Sequence, residues 1–301
     1  MRYKRGGFLF NPRDKFSWAL SHALQPTPIK TKEGILVFCG FRDKDGVSRI
    51  GRILLSGKKK LSVEHVHPDP VLDVGEDGCF DDNGVVPCFV KRSENNLIMF
   101  YAGYQLVKKI KFQVFGGIAI SSDEGKTFHR LSKTPFTDRT NDEPFFRVVH
   151  SIISKGDKFH FFYGGGDSFI NILGKDYPSY NIRSFKSESL MKSDKKYSII
   201  IDCKKNIEYR VARPYVYGLD SGFKMVFFST NMENKFSLEI ASSSDLKSWS
   251  REKLLIDGEN EHWDNEMMAY PSRIATKKCE YIFYNGNNYG EDGFGYLYRE
   301  L

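Results

Sequence analysis

The stretch NLIMFYAGY, from Asn96 to Tyr104, decides the fold because it is one of five similar runs. Each run combines apolar and aromatic residues and ends in small or polar residues, a pattern typical of a buried strand followed by a turn. The other four are GILVFCGF from Gly34, KFHFFYGGG from Lys158, FKMVFFSTN from Phe223 and CEYIFYNGN from Cys279. Their spacing of roughly 55 to 65 residues is typical of the blades of a β-propeller.

Further strand-like runs flank each of the five. The preceding run contains or follows a proline in each unit: HALQPTPI, DDNGVVPCFV, EPFFRVVHSII, YRVARPYVY and NEMMAYPSRI. The following runs are SRIGRILLS, FGGIAISSD, SYNIRSFKS, FSLEIASSSD and FGYLYREL. A fourth strand is visible in four units, as LSVEHVH, TFHRLS, YSIII and WSREKLLI. Four strands per unit is the composition of a propeller blade.

The last unit reaches Leu301 after its third strand, and GGFLF (Gly6–Phe10) can supply the missing outer strand. We therefore predict an all-β fold: one five-bladed β-propeller of four-stranded blades over residues 1–301, with the ring closed by the N-terminal strand in the last blade. The alternative is a pair of β-sandwiches. That arrangement needs a linker near the middle of the chain, and no low-complexity or Pro/Ser-rich segment is found there.

Composition narrows the setting and the partners. The 301 residues include 25 Phe, 16 Tyr and 26 Gly, which favours strands and tight turns. No apolar run approaches the ~20 residues of a membrane helix, and the N-terminal segment lacks the pattern of a signal peptide. Five scattered cysteines, with Cys39, Cys88 and Cys279 in strand-like runs, favour buried thiols and a cytoplasmic location.

The formal charge of +7 has two interpretations: a solvated Lys-rich surface, or attraction to an anionic ligand. Lysine and arginine are spread along the chain without a nucleic-acid module, so nucleic acid is not an expected partner. His65 and His67 have no further ligands at metal-binding spacing, and we expect no metal and no cofactor. The oligomeric state is left open.

The stretch SSDEGKTF (Ser121–Phe128) matches the pattern S-x-D-x-G-x-T-[WF] and resembles the Asp-box of sialidases and related propellers. SSDLKSW (Ser243–Trp249) is a shortened relative two units later. In this motif Asp123 is expected to cap turn amides, Gly125 to allow a positive φ, and Phe128 to pack inward. We interpret these residues as structural rather than catalytic.

Polar residues stand at the start of each unit's first strand, and in a propeller these starts gather on one face around the central channel. They are His22 and Gln25; Asp81 and Asp82; Asp142, Glu143 and Arg147; Glu208, Arg210 and Arg213; and Asp264 and Glu266. Carboxylates close to one another are what glycoside cleavage needs, because one protonates the leaving oxygen while another acts as nucleophile or base.

Several stretches along nearly the whole chain, DDNGVVPCFV, YAGY, GGIAISSDEGKTFHR, ARPYVY and DNEMMAYPSRI, resemble the five-bladed propeller superfamily of glycoside hydrolase families 32, 43 and 68. They are also similar to uncharacterised glycosidase-like proteins of bacterial polysaccharide clusters. The resemblance implies a glycosidase-like enzyme that cleaves or transfers a glycosyl group in surface-polysaccharide metabolism. By matching position it implies Asp82, Glu143 and Glu266 as catalytic residues, with Glu266 as general acid and Asp82 as base or nucleophile.

The first unit departs from that family, since SHALQPTPI lacks the usual aspartate and GFRDKDG (Gly40–Gly46) lacks the proline of the FRDP motif. The competing hypothesis is therefore a non-catalytic propeller that binds a carbohydrate or a partner. The residues predicted to bind a small sugar or glycan are His22, Gln25, Arg42, Arg147, Arg213, Asn285 and Asn287.

The arginines at the strand starts predict the charge of the substrate. A surplus of guanidinium groups over carboxylates favours an acidic or activated sugar, because arginine binds carboxylate and phosphate bidentately. Arg210 and Arg213 are an odd number of positions apart, so a regular strand would direct them to opposite faces. On this argument one of the two is structural.

Overall fold

The chain is almost entirely β-structure in the computed structural model, which describes residues 1–13, 15–57, 59–172 and 174–301. The strands are β1 (Arg2–Phe10), β2 (Ser21–Lys30), β3 (Ile35–Arg42), β4 (Ser48–Ser56), β5 (Ser62–Val66), β6 (Val85–Ser93), β7 (Asn96–Leu106), β8 (Phe112–Ser121), β9 (His129–Arg130), β10 (Phe146–Lys155), β11 (Lys158–Ile172), β12 (Lys175–Ser187), β13 (Ser198–Ile201), β14 (Glu208–Leu219), β15 (Gly222–Asn231), β16 (Phe236–Ser243), β17 (Ser250–Glu252), β18 (Leu255–Asp257), β19 (Ala269–Ala275), β20 (Cys279–Asn285) and β21 (Phe294–Glu300). One four-residue turn, α1 (Asn287–Gly290), interrupts them. Within these ranges, no helix has the length and apolarity that crossing a membrane requires.

The strands pair in antiparallel groups that follow the sequence repeat. The groups are β2–β5, β6–β9, β10–β13 and β14–β17, and a further group has the order β1-β21-β20-β19. Strand β1 at the N-terminus pairs antiparallel with β21, as the sequence suggested, but it lies between β21 and β18 rather than at the edge of its sheet. The prediction that WSREKLLI forms one strand is wrong. The segment divides into β17, which pairs with β16, and β18, which pairs parallel with β1.

The first strands of the groups lie side by side. Strand β2 contacts both β6 and β19, while β10 contacts both β6 and β14, and β14 contacts β19. Each of these strands carries a register shift against its partner, located at Gln25, Cys88, His150, Arg213 and Tyr270. A bulge of this kind adds one residue to a strand and redirects a side chain. Gln25, Arg213 and Tyr270 accordingly have φ values of 54°, 56° and 56°.

The hairpin formed by β11 and β12 is longer than the sequence predicts. The Gly-rich end of KFHFFYGGG was expected to be a turn, but Gly164–Gly166 continue the strand and pair with Val148, Arg147 and Phe146 of β10. A Cβ at Gly165 would lie 2.5 Å from the Glu143 carboxylate, and one at Gly166 would lie 2.3 Å from the Ser179 carbonyl. These glycines permit close packing, which composition alone does not distinguish from a turn.

Apolar clusters between neighbouring groups form the core. Aromatic rings supply much of the contact, as where Phe161 stacks on Phe185 with centroids 4.5 Å apart. Cys39, Cys88 and Cys279 are buried free thiols, as predicted. Burial raises the pKa of the Cys88 thiol to about 11, which keeps it protonated at neutral pH.

The Asp-box has the predicted structural role. The Asp123 carboxylate accepts hydrogen bonds from the Lys126 and Thr127 amides, each at 3.0 Å, and from the Thr127 hydroxyl at 2.7 Å. Gly125 has a φ of 79°, and the Phe128 ring packs edge-on against Phe38. Partial burial opposes ionisation of Asp123, but the hydrogen bonds outweigh it and lower the pKa from 3.8 to about 2.

Asp123→Ala is expected to reduce the free energy of unfolding at pH 7 by about 2 kcal/mol, because it removes several hydrogen bonds to a charged acceptor. The folded-state pKa lies below the unfolded value, so this stabilisation is present above about pH 4 and is lost as the pH falls towards about 2. Urea unfolding at pH 7 and pH 3 measures both effects. Asp157→Ala, at an exposed turn, is the control, and an equal loss in both variants would contradict the prediction.

Candidate functional site

A cavity of about 680 Å³ opens where the first strands meet. Its lining residues come from all the antiparallel groups, including β2, β7, β10, β14 and β19, and from the turn α1. The long hairpins β7–β8 and β11–β12 form one wall and carry Lys109, Lys111 and Lys175 on it. The side chains that meet here are thus far apart in sequence.

The bulges supply most of the polar lining. Gln25, His150, Arg213 and Tyr270, each at the register shift of its strand, all line the cavity. Arg210 lines it as well. The prediction that Arg210 and Arg213 face opposite sides is therefore wrong, because register shifts on β14 interrupt the alternation that the prediction assumed.

The arginines of the cavity differ from those elsewhere in their partners. In the described part of the chain Arg42, Arg210 and Arg213 form no ion pair with a carboxylate, and the same holds for Arg52, which lies outside the cavity. The other described arginines are all paired with Asp or Glu. An uncompensated buried charge costs several kcal/mol of folding free energy. The unpaired arginines of the cavity are therefore not explained by a contribution to stability.

Arg213 is 1% exposed and crosses from β14 to strands β2 and β6. One Nη donates to the Gln25 side-chain oxygen and to the Pro87 carbonyl (3.2 Å), and the other donates to the Thr27 hydroxyl at 2.9 Å. These acceptors are neutral, and Nε has no partner in the described residues. Burial lowers the pKa of Arg213, which is the direction that disfavours an unpaired cation.

Arg210 is 2% exposed and sits among aromatic rings. Its guanidinium carbon lies 4.9 Å from the centroid of Phe236 and 5.1 Å from that of Tyr209. Nε donates to the Thr230 hydroxyl and one Nη to the Tyr209 hydroxyl, both at 3.2 Å. The Tyr180 hydroxyl is a further hydrogen-bond partner of the guanidinium. Arg210 is thus held in place by aromatic rings and neutral hydroxyls, with no carboxylate to balance its charge in the described residues.

Two histidines beside these cations are neutral. The His150 Nδ1 accepts a hydrogen bond from the Gly164 amide at 3.3 Å. Burial is the main cause that holds the pKa of His150 well below its usual value, and the positive charge of Arg213 lowers it further. Burial and the charge of Arg42 lower the pKa of His22 to about 3, while the Arg42 guanidinium donates to its Nε2 at 3.1 Å. Neither histidine adds charge at neutral pH.

Tyrosines give the cavity large apolar faces with polar edges. Tyr104, Tyr177, Tyr180, Tyr270 and Tyr289 all line it. The hydroxyls of Tyr104, Tyr270 and Tyr289 form no hydrogen bond with any described side chain or backbone group. Aromatic walls with a few convergent polar groups are typical of small-molecule sites.

The three predicted catalytic carboxylates are absent from the described cavity lining, where Asp176 is the one carboxylate. Glu143 is fully buried and pairs with Arg147 at 2.7 Å and Arg183 at 3.0 Å, and it accepts from the Tyr163 hydroxyl at 2.8 Å. In this arrangement its oxygens cannot contact a ligand in the cavity.

Asp82 and Glu266 are not enclosed in the same way. The Asp82 carboxylate accepts from the Gly78 amide at 2.9 Å, and the Glu266 side chain is exposed. Their buried neighbours are the ones in ion pairs: Asp81 contacts Arg130 at 2.7 Å and Asp264 contacts Arg5. The structure does not bring Asp82 and Glu266 to the cavity wall, and their catalytic roles stay predictions.

Of the predicted binding residues, Gln25, Arg42 and Arg213 line the cavity, and His22 adjoins it through Arg42. Arg147 is paired with Glu143 and is not among the lining residues. Asn285 and Asn287 are also elsewhere, because their amides tie backbone segments together. Asn285 joins Ala23, Gln25 and Gly293, and Asn287 joins Glu266, Met267 and His262.

Sequence reasoning missed His150, Tyr270 and the hairpin lysines. A usable signal was present for Tyr270, since Gln25, Arg213 and Tyr270 each directly precede a proline in the first strand of their unit. His150 stands at the equivalent bulge of its own unit, where no proline follows. In the described residues no cluster of three or more His, Cys, Asp or Glu side chains could hold a metal ion.

No protein-family model matches the chain. The uncharacterized protein Rv1502 of Mycobacterium tuberculosis (strain ATCC 25618 / H37Rv) is 27% identical over 299 residues, which cover 98% of both chains. Its description names no activity. The relative matches this chain over nearly its full length, but it does not indicate which reaction, if any, this chain performs.

Solved structures similar to this chain include several glycoside hydrolases. A thermostable family-43 glycoside hydrolase has a TM-score of 0.63 and 12% identity, over 93% of this chain and 90% of that one. An alpha-L-arabinofuranosidase from Lactobacillus brevis has a TM-score of 0.67 and 10% identity, over 92% and 90%. The GH32 beta-fructofuranosidase BmSUC1 of Bombyx mori has a TM-score of 0.65 and 15% identity, over 99% of this chain and 63% of that one. At these identities the likeness is one of fold, and this chain shares its all-β fold with the propeller glycoside hydrolases, including members of families 43 and 32.

Proposed function

We propose that this chain binds a sugar bearing an anionic group in the cavity between its first strands. The observation that carries the proposal is that Arg42, Arg210 and Arg213 line one cavity without a carboxylate partner in the described residues. A ligand anion would supply the missing counter-charge, and arginine binds carboxylate and phosphate through paired hydrogen bonds. The tyrosine walls would contact the body of the sugar.

The proposed architecture is a single five-bladed propeller over residues 1–301, closed by β1 in the last blade. Side-by-side contacts support it, since β2 touches both β6 and β19 while β10 and β14 continue the sequence of neighbours between them. The antiparallel pairing of β1 with β21 supports the same closure. In this arrangement the cavity is the central channel, which explains why every strand group contributes to it.

Glycosyl cleavage is the second candidate function. It is supported by the fold shared with glycoside hydrolases and by the accessibility of Glu266 and Asp82, the expected acid and base. The ion pairs that enclose Glu143, and the absence of these carboxylates from the described lining, favour binding instead. The two functions differ in one observable, the release of a smaller sugar from the bound ligand.

Calorimetry with matched sugars tests the proposal, using hexoses and the corresponding uronic acids of gluco, galacto and manno configuration. We expect an anionic member to bind at least tenfold more tightly than its neutral counterpart. Raising the salt concentration should weaken only the anionic ligand, and only modestly, because buried charges are poorly screened. Equal affinity for both classes with no salt dependence would overturn the proposal.

A further inference from the structure

The charge in the depth of the cavity exceeds what one carboxylate would balance. Arg210 is 2% exposed and Arg213 is 1% exposed, so two guanidiniums without carboxylate partners are removed from water in one cavity. Arg42 adds a third cation that is only half-buried. The carboxylate of Asp176 is exposed and accepts from the Asn171 amide at 2.9 Å, so it balances neither of the buried cations.

Neutral groups occupy the remaining contacts of both arginines. Arg213 donates to an amide oxygen, a carbonyl and a hydroxyl, and Arg210 donates to two hydroxyls. Such acceptors satisfy hydrogen bonds without cancelling charge. A ligand that neutralises the depth of this cavity therefore needs two negative charges rather than one.

Resting on the proposed function, we propose that the anionic group of the ligand is a phosphate ester, so that the ligand is a phosphorylated sugar. A phosphomonoester carries about −1.5 to −2 charges at pH 7 and three strong acceptor oxygens. It matches the two buried guanidiniums in charge. A uronic acid supplies one charge and leaves one buried cation uncompensated.

The pH dependence of binding can distinguish a phosphate from a carboxylate, because the two ligand groups ionise at different pH values while the groups that line the cavity are the same for both. The second ionisation of a phosphomonoester has a pKa of about 6, whereas a uronic acid is already ionised above about pH 5. The titratable groups that line the cavity for both ligands alike are His150, Tyr104, Tyr177, Tyr180, Tyr270, Tyr289, Asp176, Lys109, Lys111 and Lys175, and His22 and Cys88 adjoin it through Arg42 and Gln25. Since both histidines have lowered pKa values, their titration does not coincide with that of the phosphate.

The test measures binding of hexose 1-phosphates and 6-phosphates beside the uronic acids of the same three configurations, from pH 5 to pH 7.5. We expect a hexose phosphate to bind at least tenfold more tightly than its uronic acid at pH 7.5, with affinity rising several-fold across the range. The affinity of the uronic acid should stay flat. Inorganic phosphate should bind more weakly than the hexose phosphate, and equal binding would contradict the role of the sugar.

Arg210→Met tests the second charge, because methionine keeps an apolar side chain within the aromatic rings. We expect hexose phosphate affinity to fall at least tenfold and uronic acid affinity to change less than threefold. Arg52→Met is the matched control, since Arg52 is also buried and unpaired but lies outside the cavity, and it should change neither affinity. If Arg210→Met does not fold, Arg210→Lys, which retains the charge without the fork, should give a smaller loss of the same kind.

The outcomes separate the two proposals. Uronic acid binding as tight as hexose phosphate binding, with the same pH profile, would overturn the phosphate inference and leave the proposed anionic-sugar function intact. Equal losses for both ligands in Arg210→Met would overturn it too. If no anionic sugar binds better than its neutral counterpart, the proposed function fails first, and the inference fails with it.

Discussion

Replacing Glu143 by alanine is expected to lower the free energy of unfolding by about 3–5 kcal/mol, since it leaves buried arginines without their counter-charge. Glu143 is 0% exposed, and its two carboxylate oxygens pair with Arg147 at 2.7 Å and with Arg183 at 3.0 Å. The Tyr163 hydroxyl loses its acceptor in the same variant. Urea unfolding followed by circular dichroism measures the change.

Glu266→Ala is the matched control, because the same residue type is exposed there and its side chain has no ion pair in the described residues. A surface change of this kind is expected to stay within about 0.5 kcal/mol. If Glu143→Ala were as stable as Glu266→Ala, the buried cluster would not be structural.

The Glu143 cluster belongs to a pattern that repeats through the chain. Tyr101 donates to Asp81, Tyr163 to Glu143 and Tyr284 to Asp264, and each tyrosine follows its carboxylate by 20 residues. An arginine completes each cluster: Arg130, Arg147 with Arg183, and Arg5. The repetition indicates that these carboxylates fasten the entrance of the first strand to the rest of its group.

The sequence alone could not distinguish a structural role of these carboxylates from a catalytic one. Both place a carboxylate next to arginine at the start of a first strand, and only burial tells them apart. The period of 20 residues was available as a signal, and so was its exception. In the fourth unit Glu208 pairs with Arg251 at 2.8 Å, while position 228, twenty residues later, is a phenylalanine. A structural role tolerates that replacement, because the ion pair remains.

The strand order was predictable because each group repeats one pattern of apolar runs and turns, whereas the site depended on bulges. Alternation places Arg210 and Arg213 on opposite faces, but the shifts along β14 bring both to the cavity. A bulge depends on pairing with the neighbouring strand, which the sequence of one strand does not state. His150 reaches the cavity at a bulge of this kind on β10 and was missed.

The extended hairpin β11–β12 was the other unpredicted contributor to the site. Its glycines suggest a turn, yet Gly165 and Gly166 lie where a side chain would meet the Glu143 carboxylate or the Ser179 carbonyl. The strand therefore continues to Ile172 and places Lys175 and Tyr177 on the cavity wall. Close packing against another element is a tertiary requirement, so local composition cannot reveal it.

Replacing Arg213 by methionine is expected to weaken binding of an anionic sugar by about thirtyfold or more, because a buried charged hydrogen-bonding partner contributes about 2–5 kcal/mol. Gln25, Thr27 and the Pro87 carbonyl fix the plane of the guanidinium, so the free protein already holds it in one orientation. Calorimetry of Arg213→Met and Arg213→Lys with the tightest anionic sugar measures the loss. The lysine variant should lie between methionine and wild type, since it keeps the charge without the fork.

Stability separates this binding role from a purely structural one. Arg213 has no carboxylate partner in the described residues, and burial lowers its pKa, so its removal relieves an uncompensated cation while breaking neutral hydrogen bonds. These effects oppose each other, and Arg213→Met should lose far less stability than Glu143→Ala, whose removal creates uncompensated cations. Arg52→Met controls for the loss of a buried, unpaired arginine outside the cavity. Unchanged anion affinity together with a loss of several kcal/mol in Arg213→Met would mean that Arg213 serves only to tie β14 to β2 and β6, and the anionic-ligand assignment would lose its central residue.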